Sequence, residues 1–202
     1  TDDQLIDVAR LIHGSGLFKD SDEKMMLSLA KTATHASRYK GDILFEEGSL
    51  CEALHIVVTG HFAMCRDGHE WSEQEWEYLV SEHGLDVSDE GKVRMLGGIR
   101  RVAGPGASLE SPPSVYGKSP AEREKSIFEV MKRRTSGGFA LSQCLVIVVP
   151  KSNYEIALSD YRRREAQHCI DYLQQYAPFD GWKAKELHTL CTMSKRETVA
   201  RG

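Results

Sequence analysis

The sequence predicts an α+β chain, in which a jelly-roll-like β-roll is flanked by N-terminal and C-terminal helices and interrupted by two helical insertions. Three observations carry this. Within 39–64, short apolar runs at 43–45, 53–58 and 62–64 are cut apart by Lys40-Gly41, Glu47-Gly48 and Thr59-Gly60. Glycine accepts the positive φ of tight turns, so each cut reads as a corner, and short strands with frequent corners suit a roll better than a flat sheet. Apolar residues recur at helical spacing at both ends, through Leu5, Ile6, Ala9 and Ile12 and again through Tyr154, Ala157, Leu158 and Tyr161. Two stretches inside the roll, 67–92 and 111–133, carry helix-start signals in place of strand alternation.

Taken in order, residues 1–38 read as an N-terminal helical bundle. The first helix ends at Gly14-Ser15-Gly16, and Ser21 is the expected N-cap of a second helix with Met25, Met26, Leu29 and Ala33 on one face. The roll spans 39–150. Its first insertion holds nine carboxylates and one lysine between Asp67 and Lys92. Ser72-Glu73-Gln74-Glu75 fits a capping box, after which Trp76, Leu79 and Val80 are expected on one helix face, with a loop at 87–91 behind. This insertion reads either as a solvated decoration or as a docking surface anchored by Trp71 and Trp76. Residues 93–99 return to the sheet. In the second insertion, Ser119-Pro120-Ala121-Glu122 opens a helix whose apolar face is Ile127, Phe128 and Met131. Ser152 is the expected cap of a long helix that runs on through Ile170, Leu173 and Tyr176.

Composition narrows the function classes. A chain of 202 residues suits one large domain or a domain plus a fragment, and it is expected to be a piece of something longer. A net charge of −4 gives no global attraction to DNA or to anionic membranes, and no apolar run reaches the ~20 residues of a membrane span. Cys51, Cys65, Cys144, Cys169 and Cys191 are odd in number, scattered and never in a C-x-x-C pair, which predicts reduced thiols and a cytoplasmic protein.

The run Lys40-Gly41-Asp42-Ile43-Leu44-Phe45-Glu46-Glu47-Gly48, followed by Leu54-His55-Ile56-Val57-Val58-Thr59-Gly60, resembles the opening of the cyclic nucleotide-binding domain. The helical entry through Leu17-Phe18-Lys19-Asp20 is similar to that family too. So is the segment from Arg134-Thr135-Ser136 through Ala140-Leu141, Cys144 and 145–149 to Pro150-Lys151. Cys51-Glu52 departs from the family's Gly-Asp.

This resemblance implies a phosphate-binding cassette built from Gly106, Ser108, Leu109, Glu110, Arg134, Thr135 and Ser136. A cyclic phosphate can be gripped by an arginine and by backbone N–H groups, while a glutamate accepts from the ribose 2′-OH. Arg134 falls on the position of the phosphate-binding arginine and Glu110 on that of the ribose-binding glutamate. Ser108-Leu109 lacks the expected glycine, and Pro112-Pro113 offers no N–H groups to a short helix. The other reading of Arg133-Arg134 is a solvated pair at a helix C-terminus. The Arg134-Thr135 pair is the family pattern that goes with cGMP.

The resemblance makes 151–177 a hinge and lid helix. Phe179, Leu187, Leu190 and Cys191 repeat Phe18, Met26, Leu29 and Ala30 after 161 positions, so 178–202 is expected to begin a second such domain and not a DNA-binding helix-turn-helix. Arg162-Arg163-Arg164 reads as a solvated face or as a dock for an acidic surface.

Two functional readings stay open. One is a regulatory module of a multidomain signalling protein that senses cAMP, cGMP or a related nucleoside ligand, with no cofactor. The other is a degenerate module that no longer binds ligand and acts as a scaffold for a protein partner. A cupin-type metalloenzyme would need a His-x-His pair, which His55, His61 and His69-Glu70 do not supply, and no nucleophile–base pair or P-loop is present. The protein is therefore expected not to be an enzyme.

Overall fold

Two antiparallel sheets lie face to face, because their strands carry apolar side chains on both surfaces and must be covered twice. In the computed structural model the described residues are 2–18, 21–67, 72–86, 90, 96–110, 128 and 131–193. Helices α1 (Asp2–Gly14) and α2 (Glu23–Thr32) lead into strands β1 (Thr34–Arg38), β2 (Ile43–Phe45), β3 (Ala53–Thr59) and β4 (Phe62–Arg66). Helix α3 (Glu73–His83) precedes β5 (Gly98–Ala103), β6 (Gly137–Ala140) and β7 (Cys144–Pro150). Helix α4 (Lys151–Leu173), a 3₁₀ turn (Ala177–Phe179) and helix α5 (Ala184–Met193) follow. The sheets have the orders β1-β7-β3 and β2-β6-β4-β5.

Strand parity distributes the chain over three cores. Val57, Phe62, Met64, Ala103, Leu109, Ala140 and Val146 fill the space between the sheets. Leu54, Ile56, Ile147 and Val149 point the other way and pack on Ile12, Met25, Leu29, Tyr154 and Ala157 of the helices and on Phe18 of the turn between α1 and α2. On the second sheet, Ala63, Cys65, Phe139 and Leu141 are covered by Leu79, Leu85 and Leu96, with Trp76 against them. Each large apolar side chain buried this way contributes ~1.5–3 kcal/mol.

The corners form as expected. Gly41, Gly48 and Gly60 have φ of 87°, 77° and 82°. At Gly60 a Cβ would meet the Gln143 carbonyl oxygen at 2.5 Å and Cys144 Sγ at 2.6 Å, so the turn needs glycine for space as well as for φ. The capping box is also present: Ser72 Oγ accepts from Glu75 N, and Glu75 Oε2 accepts from Ser72 N at 2.9 Å. Gly84 closes α3 in the left-handed conformation, its N–H directed at the carbonyls of Leu79 and Val80.

Several expectations need correction. Asp22, not Ser21, caps α2, its carboxylate accepting from Met25 N at 2.7 Å. Helix α4 starts two residues earlier than a Ser152 cap would place it. Pro150 occupies the cap position without a side-chain bond, and Ser152 already lies in the first turn. Val80 is exposed, because an α-helical step of one residue from buried Leu79 turns it out of the packed face. Trp76 is half-buried against the core of the second sheet, and Trp71 lies outside the described residues.

The cysteines are not all reduced: Cys169 of α4 and Cys191 of α5 form a disulfide across a helical hairpin that brings residues 22 apart together. Strand β5 begins at Gly98, while 93–95 and most of the 87–91 loop lie outside the described residues. So does most of the second insertion, of which Phe128 is helical and, like Met131, buried against the N-terminal core. Arg164 is partly engaged, donating to both carboxylate oxygens of Asp22 at 3.0 and 3.1 Å.

Candidate functional site

Residues 106–110 continue the first sheet without being a full strand. Gly106 N donates to Val57 O at 2.8 Å, Val57 N to Ala107 O at 3.0 Å, and Leu109 N to His55 O at 2.9 Å. At the next step Glu110 replaces a backbone acceptor with its side chain, Oε2 accepting from His55 N at 2.7 Å. Glu110 N donates to Ser108 Oγ at 3.2 Å. A second extended segment closes from the opposite side: Arg134 N donates to Ser49 O at 2.9 Å, Gly48 N to Arg134 O at 2.8 Å, and Cys51 N to Lys132 O at 3.2 Å. Backbone pairing thus delivers Glu110 and Arg134, 24 positions apart, to the same point.

There Arg134 Nη1 donates to Glu110 Oε1 in a buried ion pair. The side chains of Arg134 and Glu110 are 6% and 1% exposed. Arg134 Nη2 donates to Ala53 O at 3.0 Å, and the guanidinium lies 3.8 Å from the centroid of the Phe45 ring. His55 completes the cluster with Nδ1 2.9 Å from Glu110 Oε1, and its ring sits 5.5 Å from that of Phe45. The carboxylate requires a donor, so this nitrogen carries the proton. Burial by itself pushes the Glu110 carboxyl up. The His55 ring, the Arg134 guanidinium and the His55 backbone N–H together outweigh burial and hold it below the usual carboxylate range.

Arg101 of β5 braces the segment from behind, Nη2 donating to Ser108 O at 2.7 Å and to Leu109 O at 3.1 Å. Burial, and then neighbouring Arg100, lower its pKa, with Glu110 acting in the opposite sense.

Of the seven residues expected in the cassette, Ser108, Glu110 and Arg134 converge. The Leu109 side chain belongs to the core between the sheets, and Gly106 forms the preceding turn at φ 80°. Thr135 is exposed and Ser136 half-buried at the entry to β6. The pair Arg133-Arg134 is not at a helix C-terminus. It is extended, with Arg133 bridged to Leu50 and donating to Gly48 O at 2.6 Å.

His55, Phe45 and Arg101 were not foreseen as members of the cluster. For His55 a signal existed: on β3 it alternates with Leu54 and Ile56, so it faces the roll interior, where a polar group needs a partner. In this cluster Glu110 accepts from Arg134 Nη1, His55 Nδ1, His55 N and, at 3.4 Å, Ser108 Oγ, and the N–H groups of Gly106, Ala107, Leu109 and Glu110 all have acceptors within the chain.

No family model matches the sequence, and no curated protein matches it. Solved structures do. The chain is similar to the regulatory domain of Toxoplasma gondii PKA with cAMP, with a TM-score of 0.51 and 16% identity over 95% of this chain and 59% of that one. It is similar to the regulatory subunit of a cAMP-independent protein kinase A from Trypanosoma cruzi bound to guanosine, with a TM-score of 0.50, 14% identity and coverages of 95% and 53%. The cAMP-bound PfPKA-R (141-441) gives 0.50, 10% and coverages of 95% and 55%. The chain therefore has the fold of the cyclic nucleotide-binding domain, in a divergent form, and spans just over half the length of these structures. Among the described residues no helix is long and apolar enough to cross a membrane.

Proposed function

We propose that the chain is a regulatory, non-catalytic module of cyclic nucleotide-binding type whose ligand site is closed by its own side chains, so that it acts chiefly as a protein-interaction scaffold. The observation that carries this is the buried Arg134–Glu110 pair. The cation expected to hold a cyclic phosphate is neutralised by the carboxylate expected to hold the ribose. A nucleotide would have to separate the two and rehydrate or re-pair Glu110, at a cost of several kcal/mol. The exposed side of α3, with Glu73, Glu77, Tyr78, Val80 and Glu82, is the contact surface that suits a basic partner carrying an apolar anchor. The repeat of the entry pattern at Phe179 and Leu187 supports a place in a larger cytoplasmic signalling protein with a second module behind this one.

A second reading, ligand sensing, is favoured by the convergence of Ser108, Glu110 and Arg134 inside the roll. In it, cAMP, cGMP or a nucleoside displaces Glu110 from Arg134, and Gly106, Thr135 and Ser136 flank the ligand. The exposed Thr135 hydroxyl can then bridge the phosphate and the guanine amine, giving cGMP a several-fold preference from one hydrogen bond of ~0.5–1.5 kcal/mol.

Calorimetric titration of the protein with cAMP, cGMP and guanosine separates the two. Closure predicts no saturable heat at micromolar ligand. Saturable micromolar binding that favours cGMP, with the preference lost in Thr135→Ala, would establish sensing instead.

A further inference from the structure

The five cysteines fall into two classes. Cys51, Cys65 and Cys144 are buried free thiols inside the roll, and burial pushes Cys51 up to about 11 and Cys65 to about 12. At neutral pH Cys51 and Cys65 therefore supply almost no thiolate. Cys169 and Cys191 are half-exposed, lie outside the roll, and are bonded to each other.

The bond joins α4 to α5. Among the described side chains of α5, Leu187 is the fully buried one, and the connection from Gln174 to Lys183 is exposed along nearly its whole length. His188 of α5 and Arg162, Arg163, Gln167 and Ile170 of α4 line an open cleft of about 340 Å³ between the two helices.

We propose that Cys169–Cys191 is a reversible thiol–disulfide modification site that controls whether α5 is docked on α4. In the reductive direction, a thiolate of a dithiol reductant attacks one sulfur of the bond. The other cysteine leaves as thiolate and takes up a proton. The reductant's second thiol then attacks the mixed disulfide, releasing the second cysteine as thiol and leaving the reductant as a cyclic disulfide. Two protein thiols form, and the electrons come from the dithiol; oxidised glutathione reverses the reaction in two exchange steps. Once the bond is open, α5 is held by non-covalent packing alone, with Leu187 buried in it, and its release uncovers Ile170 and the arginine side of the cleft.

The test uses the whole chain. Thiol titration of air-equilibrated protein under denaturing conditions should count three thiols, rising to five after dithiothreitol, with peptide mapping linking Cys169 to Cys191. Hydrogen exchange of 184–193 should then accelerate on the order of a hundredfold on reduction, the loss expected for opening a short closed loop. Exchange within β3, β4 and β7 should stay unchanged, and oxidised glutathione should restore protection. Cys169→Ser/Cys191→Ser should match the reduced protein whatever the redox state. Five thiols in the oxidised protein, unaltered α5 exchange on reduction, or lost protection of the roll in the double variant would each overturn the proposal.

Discussion

Replacing Glu110 by Gln probes the pair at the centre of the roll with almost no change of shape. The variant removes the negative charge from a site where the carboxylate accepts from Arg134, from the His55 ring and from the His55 backbone N–H. The amide keeps one acceptor oxygen, and its NH₂ must face a donor. The Arg134 cation, 6% exposed, is then left with Ala53 O and the Phe45 ring. Breaking a buried pair from one side costs about 3–5 kcal/mol. For a chain of this size that corresponds to a fall in Tm on the order of 10 °C.

The pH dependence follows from the same contacts. The folded carboxyl holds its proton less tightly than the unfolded one. Its stabilisation is therefore fully present above the ordinary unfolded value of ~4.3 and is lost as pH falls through the lower folded value. Urea unfolding of wild type and Glu110→Gln at neutral pH and across the acid range measures both effects. The wild type should lose its advantage as acid is added, while the variant lacks this part of the acid limb. A destabilisation below about 1 kcal/mol, or an identical acid limb, would refute the reasoning, because a pair worth so little could not keep a nucleotide out.

Gly60→Ala should lower the urea midpoint by an amount equivalent to ~1–3 kcal/mol for the positive φ alone, and by more because the new methyl would meet the Gln143 carbonyl. A neutral result would mean that the β3–β4 turn can relax. Leu79→Ala should cost ~2–5 kcal/mol in the same assay and Val80→Ala almost nothing, since neighbouring positions on α3 face the core and the solvent. Equal effects would show that α3 is not docked as described.

What could be read from the sequence was local, and what could not be read depended on which segments meet. The turns at Gly41, Gly48 and Gly60 and the capping box at Ser72-Glu75 are decided within four residues, so their chemistry is visible in the residues themselves. Strand β1 was missed because Thr34–Arg38 has no apolar stripe; it is an edge strand held by backbone pairing to β7, and that pairing has no side-chain signature. The resemblance to the cyclic nucleotide-binding domain identified Arg134 and Glu110 as a pair of interest, but it assigned each of them to a ligand.

That they bind each other depends on register. Leu109 N on His55 O sets Glu110 one step further along β3, and Arg134 N on Ser49 O sets the arginine opposite. A slip of one residue in either pairing would turn the side chain to the other face. Whether such a site is open or closed is thus a property of two backbone registers. The same holds for Cys169 and Cys191, whose meeting requires the chain to reverse between α4 and α5. The Glu110→Gln and disulfide experiments therefore test backbone placement as much as side-chain chemistry: a misplaced 106–110 or 131–134 segment would leave Arg134 solvated, and removing the Glu110 charge would then cost little.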